Sequence, residues 1–578
     1  MRPTRTSLAI LSALTSLIVV TAFTLAPALT ARPAHAAPAL TGTSQRATAT
    51  LIAHYQRDEG AVAAATPAEL QVADADQLPA LRPAGGRLKA AGATVGSLRA
   101  AHAASAPTGQ GSANLTATFA GLRSAASICP PVGCNPPDMG LAVSPQWVVQ
   151  GVNTSWAVYD THGNLQPGWP KTFFDFAGVA DHGACDGGVP FMSDPRALYD
   201  PGTGRFFAAA LEVEGAFGVN NCPFLSIYWI AVSATSDPNG VWNIYAFDMT
   251  LGTTNGADFT MVGFDSIGLY FSANMFTQDG SAYSYAEVFG VNKHQMEANL
   301  DVTAPGYFNL LVNGPFGSYV ADTVQPAQTE GQALSNSGEA FVDTLNGFDP
   351  ATGAGCTSPT DACQGLAVWT MHPGQNGPAS LGFSFVPTKP YYVPPPADQT
   401  TCKQCIDSSD LRISATPVER DGALYAGWET GVDNGTQIVA GIEWAQLDTR
   451  GPGATGVAND YYFIAGGDDA VVYPALMPDN SGALFMVFDH MSATVNPEVR
   501  LTVRQPGGDF QANGTLIKAG EGPYRPTRCG HNIPVCRWGD YSATSYDGVA
   551  GDHVWFAGQF TIPVPAFSRN WGTWIGEI

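Results

Sequence analysis

The stretch Asp194-Pro-Arg-Ala-Leu-Tyr-Asp-Pro-Gly-Thr-Gly-Arg-Phe-Phe-Ala-Ala-Ala210 reads as a short strand, a turn and a second, apolar strand. The turn chemistry lies in Asp200-Pro-Gly-Thr-Gly204. Aspartate bonds its own backbone, proline presets φ, and glycine supplies a left-handed residue. The same plan recurs six times, with starts at Asp138-Met-Gly-Leu-Ala-Val, Asp258-Phe-Thr-Met-Val-Gly, Gln325-Pro-Ala-Gln-Thr, Asp410-Leu-Arg-Ile-Ser-Ala, Tyr473-Pro-Ala-Leu-Met-Pro and Asp540-Tyr-Ser-Ala-Thr-Ser. Turns follow at Asp265-Ser-Ile-Gly, Asp421-Gly, Asp479-Asn-Ser-Gly and Asp547-Gly. Second strands follow those turns, among them Leu424-Tyr-Ala-Gly-Trp428 and His553-Val-Trp-Phe-Ala-Gly558.

Seven similar β units spaced roughly 56 to 85 residues apart predict an all-β, seven-bladed β-propeller over 113–578. Radial repetition hides the strand edges that an open sheet would expose. Only 38 residues follow Asp540, about three strands' worth, so the last blade must borrow a strand. Asn114-Leu-Thr-Ala-Thr-Phe119 has the alternation to supply it, which predicts closure of the N-terminal strand onto the last blade. The rival fold is a pair of β-sandwiches, which would not require seven similar units.

Residues 1–36 read as an export signal: Arg2 and Arg5, a charge-free run from Leu8 to Leu29, then Ala34-His35-Ala36 before a cleavage point. An N-terminal membrane anchor is the other reading of so long an apolar run. Residues 37–112 are Ala-rich with Gly, Pro, Thr and Ser and contain no Trp, Phe or Cys, which predicts a linker or propeptide-like region. Ten cysteines fall as neighbours: Cys129/Cys134, Cys185/Cys222, Cys356/Cys363, Cys402/Cys405 and Cys529/Cys536. In an exported chain such an even set predicts disulfides that staple loops, with a redox or zinc motif the competing reading of Cys402-x-x-Cys405.

With 26 basic against 49 acidic residues the net charge is −23, and charged residues make up only 13% of the chain. No basic surface exists to neutralise phosphates, which excludes nucleic acid and an anionic membrane as partners. A secreted, extracellular monomer is expected.

Pro136-Pro137-Asp138-Met-Gly140, Ser193-Asp194-Pro195-Arg196, Ser236-Asp237-Pro238-Asn-Gly-Val-Trp242 and Arg537-Trp538-Gly539-Asp540-Tyr541-Ser542 resemble a broad group of secreted bacterial seven-bladed propellers of largely unassigned function. The resemblance spans about residues 128 to 578 and implies fold and export rather than chemistry. Ser236–Trp242 also resembles the Asp-box turn of sialidase-like propellers, with one residue more between Asp and Gly. That turn is structural.

In a propeller the innermost strands start at one face of the central channel. The repeat alignment therefore predicts a ring of Asp138, Asp194, Asp258, Asp410 and Asp540 near the axis, completed by Tyr473 and Gln325. Arg196 and Arg412 stand two residues past a ring aspartate, on the same strand face. Crowded carboxylates leave one protonated beside an ionised one, as glycoside cleavage requires, and arginine clamps a substrate carboxylate. The expected catalytic groups are Asp194, Asp410, Asp258 and Tyr473. The expected substrate contacts are Arg196, Arg412, Trp428, His531 and Trp538, with Trp156 and Trp169 as further sugar platforms; packing between blades is the other reading of all four tryptophans. The other reading is architectural, because an aspartate repeated in most units caps turns.

His490 also departs from the repeat. No cofactor is expected, and there is no zinc-ligand pattern, Gly-x-Ser-x-Gly elbow or phosphate loop. Asp468-Asp469 and Asp407/Asp410 offer oxygen ligands for a structural calcium, without EF-hand spacing. The expected function is carbohydrate-active: binding an extracellular polysaccharide or glycan, with cleavage as a glycoside hydrolase or polysaccharide lyase. A non-catalytic surface or matrix interaction module is the alternative.

Overall fold

The computed structural model describes residues 43–55 (backbone only), 115–124, 136–177, 191–215, 224–314, 317–330, 338–344, 363–372, 380–434, 437–450, 454–462, 469–511, 513–524, 535–548, 553–563 and 570–578. The signal and most of the Ala-rich region lie outside them, as do His531, Asp468 and Cys129, Cys134, Cys185, Cys222, Cys356 and Cys529.

The hairpin quoted first pairs Phe191–Asp200 with Arg205–Glu214, Asp200 opposite Arg205. Asp200 Oδ1 accepts from Gly202 N at 2.8 Å, its Oδ2 accepts from the Thr203 hydroxyl at 2.8 Å, and Gly204 takes φ +66°. Leu225–Ser233 and Trp242–Asp248 complete an antiparallel meander. Successive side chains point to opposite faces, and its second strand is apolar from Phe206 to Leu211 because both faces are covered. Phe206, Ala208 and Ala210 pack with Trp156 and Phe176 of the preceding unit. Phe207, Leu211 and Val213 pack with Phe264 and Phe271 of the following one. A sheet covered on both faces has no polar side to show.

Six further meanders follow this pattern among the described residues. The first runs Gly140–Val143, Trp147–Val152, Ser155–Asp160, Lys171–Thr172. The third is Asn255–Phe264, Gly268–Thr277, Tyr283–Asn292, Val302–Phe308. The fourth is Gln325–Pro326, Glu339–Thr344, Cys363–His372, Ser380–Tyr391. The fifth is Val418–Arg420, Ala423–Asp433, Ile438–Asp448, Thr455–Tyr462. The sixth is Ala470–Pro478, Leu484–Ser492, Val495–Arg504, Thr515–Lys518. The last has Ala543–Tyr546, Val554–Thr561 and Trp571–Glu577, with Ala117–Arg123 as its outer strand.

That outer strand pairs Ala117 with Glu577 and Arg123 with Gly572. Buried Gln150 fastens it: its Oε1 accepts from Leu122 N at 2.8 Å, and its Nε2 donates to Thr573 Oγ1 at 2.9 Å. First strands lie side by side in chain order, from Gly140–Val143 through Phe191–Asp200 and Asn255–Phe264 to Gln325–Pro326. Gln328–Glu330 then pairs in parallel with Val418–Arg420. Beyond it come Ala470–Pro478, Ala543–Tyr546 and Gly140–Val143 again.

Within the stretch read as a linker, Thr43–Tyr55 is a strand between Val302–Phe308 and Trp242–Asp248. Thirteen residues with no Gly or Pro suffice to cover two open sheet edges. The turn at Ser236–Trp242 is structural: Asp237 Oδ1 accepts from Asn239 N at 2.9 Å, and Trp242 Nε1 donates to Pro238 O at 2.9 Å. Cys402 and Cys405 form a disulfide, which replaces the zinc reading, and Cys363 and Cys536 are also disulfide-bonded. No helix among the described residues is long and apolar enough to cross a membrane.

Candidate functional site

The first strands begin with a backbone device the sequence reading did not resolve. Asp138, Asp194, Phe259, Thr323 and Tyr473 take positive φ of 45°, 53°, 51°, 52° and 56°. Bulges follow between Ser193 and Arg196, Asp258 and Met261, and Val472 and Ala475. Non-glycine residues hold that conformation only when their surroundings over-determine it, and here hydrogen bonds do so. Asp194 N donates to Asn153 Oδ1 at 2.9 Å, Thr323 N to Asn274 Oδ1 at 2.6 Å, and Tyr473 N to Glu429 Oε1 at 2.6 Å. The register corrects the expected ring. Asp258 stands one residue before the left-handed position and is equivalent to Ser193, not Asp194. Gln325 stands two residues after it, with Thr323 in its place.

Two ring aspartates join neighbouring meanders. Asp138 Oδ1 accepts from Asp540 N at 2.8 Å, and Asp194 Oδ2 accepts from Thr260 N at 3.2 Å. Asp138, Asp194, Asp410 and Asp540 are all buried, whereas Asp258 is half-buried. Four of the five carboxyls of the expected ring are therefore closed off from solvent.

Aromatic rings and guanidinium groups form the plug. Arg196 lies 3.5 Å over the Tyr541 ring and 5.4 Å from Phe259, and Arg412 lies 4.5 Å from the Phe259 ring. Arg196 Nε donates to Thr260 O at 3.2 Å and its Nη1 to Ser414 O at 3.3 Å. Arg412 grips Asp410 through Nε at 2.9 Å and Nη2 at 2.7 Å. The axial cavity among Gly140, Arg196, Gln328, Ala415, Ser542 and Thr544 is only ≈ 20 Å³, room for about one water and no sugar.

Electrostatics separates the carboxyls. Burial pushes Asp258 up to about 7, reinforced by Asp194 and Asp540 and opposed by Arg537 and Arg412. Burial and then Asp540 raise Asp194 to about 6, against the pull of Arg196. Asp138 is also raised well above the usual carboxylate range, by burial and then by Asp540. Burial works against the charge on Arg537, but Asp540, Asp138 and Asp258 outweigh it, and Arg537 Nη2 donates to Asp540 Oδ2. A proton shared over aspartates beside fixed guanidinium groups can act as acid and base.

Other expected contacts are interior. Trp428 is fully buried against Tyr391, ring centroids 5.5 Å apart. Trp538 is fully buried with its Nε1 donating to Asp489 Oδ2 at 2.7 Å. Trp156 and Trp169 pack on Phe176. None of the four can present a face to a sugar. Tyr473 is buried, its hydroxyl donating to Asp407 O at 3.3 Å, so it is an inter-unit lock rather than a catalyst. His490 is buried with Nδ1 2.8 Å from Glu498 Oε1. Arg537 and Asp322 are additions to the expected set. Burial raises Asp322 to about 7, with Arg412 opposing and Asp410 adding. Their signals were present: Arg537 stands three residues before Asp540, and Asp322 precedes Thr323 as Asp258 precedes Phe259.

No family model matches the chain, and no curated protein matches it. Among solved structures it is similar to a Trypanosoma rangeli sialidase in complex with sialic acid, at 10% identity and TM-score 0.33, over 75% of this chain and 59% of that one. It is also similar to a protein of unknown function from Dyadobacter fermentans, at 9% identity and TM-score 0.31, over 66% and 94%. An endo-arabinase from Bacteroides thetaiotaomicron gives 10% identity and TM-score 0.28, over 67% and 93%. The chain spans about six tenths of the sialidase's length. At these TM-scores the likenesses carry no argument about chemistry, which rests on the residues themselves.

Proposed function

We propose that the seven meanders are the blades of one closed, extracellular β-propeller that binds and cleaves a glycan at the end of the axis where the first strands begin. The observation that carries this reading is the contrast within the aspartate cluster. Asp258 alone among the ring aspartates is partly exposed, and it is held protonated to about 7 beside Asp194 at about 6. Two carboxyls whose surroundings set their proton affinities apart supply an acid and a base at one pH. Asp258 is then the proton donor to the leaving oxygen. Asp194 is the base that takes a proton from the attacking water, and Arg537, partly exposed, holds a substrate oxygen. The narrow axis keeps the chain of sugars outside, across the mouth.

The full-length secreted protein tested on a polysaccharide panel, by reducing ends and unsaturated products, checks the proposal. Asp258→Asn should lower kcat at least about 100-fold with binding retained, since general acid catalysis supplies that much. Full activity in that variant, or no glycan bound or turned over, would sink it. A second reading is favoured by the hydrogen bonds from Asp138 and Asp194 to neighbouring backbone N–H groups. There the ring is scaffold, the protein is a surface interaction module, and Asp258→Asn leaves binding untouched.

A further inference from the structure

Asp547, His553 and Glu577 converge at the turn end of the last meander, one ligand atom of each lying within 4.8 Å of the others. Asp540 and Asp547 flank the strand Ala543–Tyr546 on opposite sides, so this cluster stands about 20 Å from the aspartate ring at 3.3 Å per residue. The strand ladder builds it. Tyr546 pairs with Val554 and Trp555 with Glu577. Val554 and Ile578 exchange backbone hydrogen bonds at 3.2 and 3.0 Å. Asp547 therefore comes opposite His553, and Glu577, opposite Trp555, is the diagonal neighbour of His553 on the same face, which brings the three side chains together.

We propose that Asp547, His553 and Glu577 bind a divalent cation of the zinc class and staple the ring-closing meander. One imidazole with two carboxylates suits a borderline cation, whereas calcium and magnesium favour all-oxygen sets. Asp547 is buried, while His553 and Glu577 retain side-chain exposures of 36% and 14%, so solvent reaches the site and supplies the remaining ligands. His553 Nδ1 lies 2.7 Å from Glu577 Oε1. Tetrahedral zinc at its usual bond lengths separates donors by about 3.3 Å, so that pair opens by roughly half an ångström. The imidazole binds as its neutral tautomer with the proton on Nε2, so that Nδ1 gives its lone pair to the metal. Glu577 sits on the strand that pairs with Ala117–Arg123, so a bound cation would hold the closure itself.

The test uses the full chain, stripped with a chelator and titrated with Zn²⁺ alone by calorimetry, with Mg²⁺ and Ca²⁺ as controls. One equivalent of zinc should bind and raise Tm by at least about 2 °C. His553→Ala should weaken binding at least about 100-fold, since losing even an outer partner of a metal ligand costs up to that much. Glu577→Gln, which preserves the shape of the side chain, should weaken it about tenfold with an unchanged circular dichroism spectrum. Absence of stoichiometric zinc overturns the site. Binding that survives both substitutions also overturns it, since the zinc would then sit elsewhere.

Discussion

Arg196 and Asp258 were equal members of the expected site, yet the structure gives them opposite roles in stability. Arg196 is buried, stacked on Tyr541 and bonded to two carbonyls from other meanders. Truncation to alanine leaves those carbonyls and the ring without a partner, so Arg196→Ala should cost about 2–4 kcal/mol. Asp258 carries the reverse penalty, because ionising it beside Asp194 and Asp540 is unfavourable. Asp258→Asn mimics the protonated form and should leave Tm nearly unchanged at pH 4, where folded and unfolded states are both protonated, and raise it increasingly from pH 5 to pH 8. Differential scanning fluorimetry of both variants checks the pair, and a Tm fall in Asp258→Asn at pH 8 would contradict the assignment. The sequence could not separate these residues. Burial depends on which meander faces which, and a one-residue bulge decides whether an aspartate occupies the left-handed position or precedes it. Tryptophan shows the same limit, since Trp428 and Trp538 have the composition of sugar platforms and the surroundings of a core.

Hairpins were the legible elements because their signals are local. Asp200-Pro-Gly-Thr-Gly204 contains its own hydrogen-bond donors and acceptors, and the structure uses them as read. What remained hidden were side chains bridging distant segments. Lys293 reaches Asp200 at 2.5 Å across 93 positions, and Gln150 ties Leu122 to Thr573. No periodicity announces such pairs. The strand Ala117–Arg123 pairs with Trp571–Glu577, and nothing in its own sequence marks Gln150 as its fastening. Gln150→Ala leaves the Leu122 N–H and Thr573 hydroxyl short of a partner in a buried setting. It should destabilise the protein by about 1–3 kcal/mol, read as a lower urea midpoint. It should also speed hydrogen exchange at Leu122 beyond that at Val158 in the first meander. Uniform exchange at both sites would show that the outer strand is not separately fastened.

At the scale of the whole molecule, the unusual feature is the number of carboxyls carried inside. Burial raises Asp194 to about 6, and Asp258, Asp322 and Glu330 each to about 7. Glu287, Glu339, Glu429 and Asp489 are raised well above the usual range for the same first reason. In the unfolded chain these groups titrate near 4. Between about pH 4 and 7 the folded state thus binds more protons than the unfolded one, and stability falls as pH rises through that window. The stabilisation is complete below the unfolded pKa and is lost as the folded pKa is passed. His490 has the same sign: burial alone would lower it, but Asp469 and Glu498 hold it above its ordinary value. Tm should therefore drop steadily from pH 5 to pH 8, whereas a protein held by surface ion pairs is flat there. Repulsion within a chain of net charge −23 slopes the same way, but half-molar salt screens it and leaves burial untouched. A decline that persists at high salt assigns the effect to the interior. A flat or rising Tm over this range at high salt would show that the buried carboxyls titrate normally, and would remove with them the proton that Asp258 is proposed to donate.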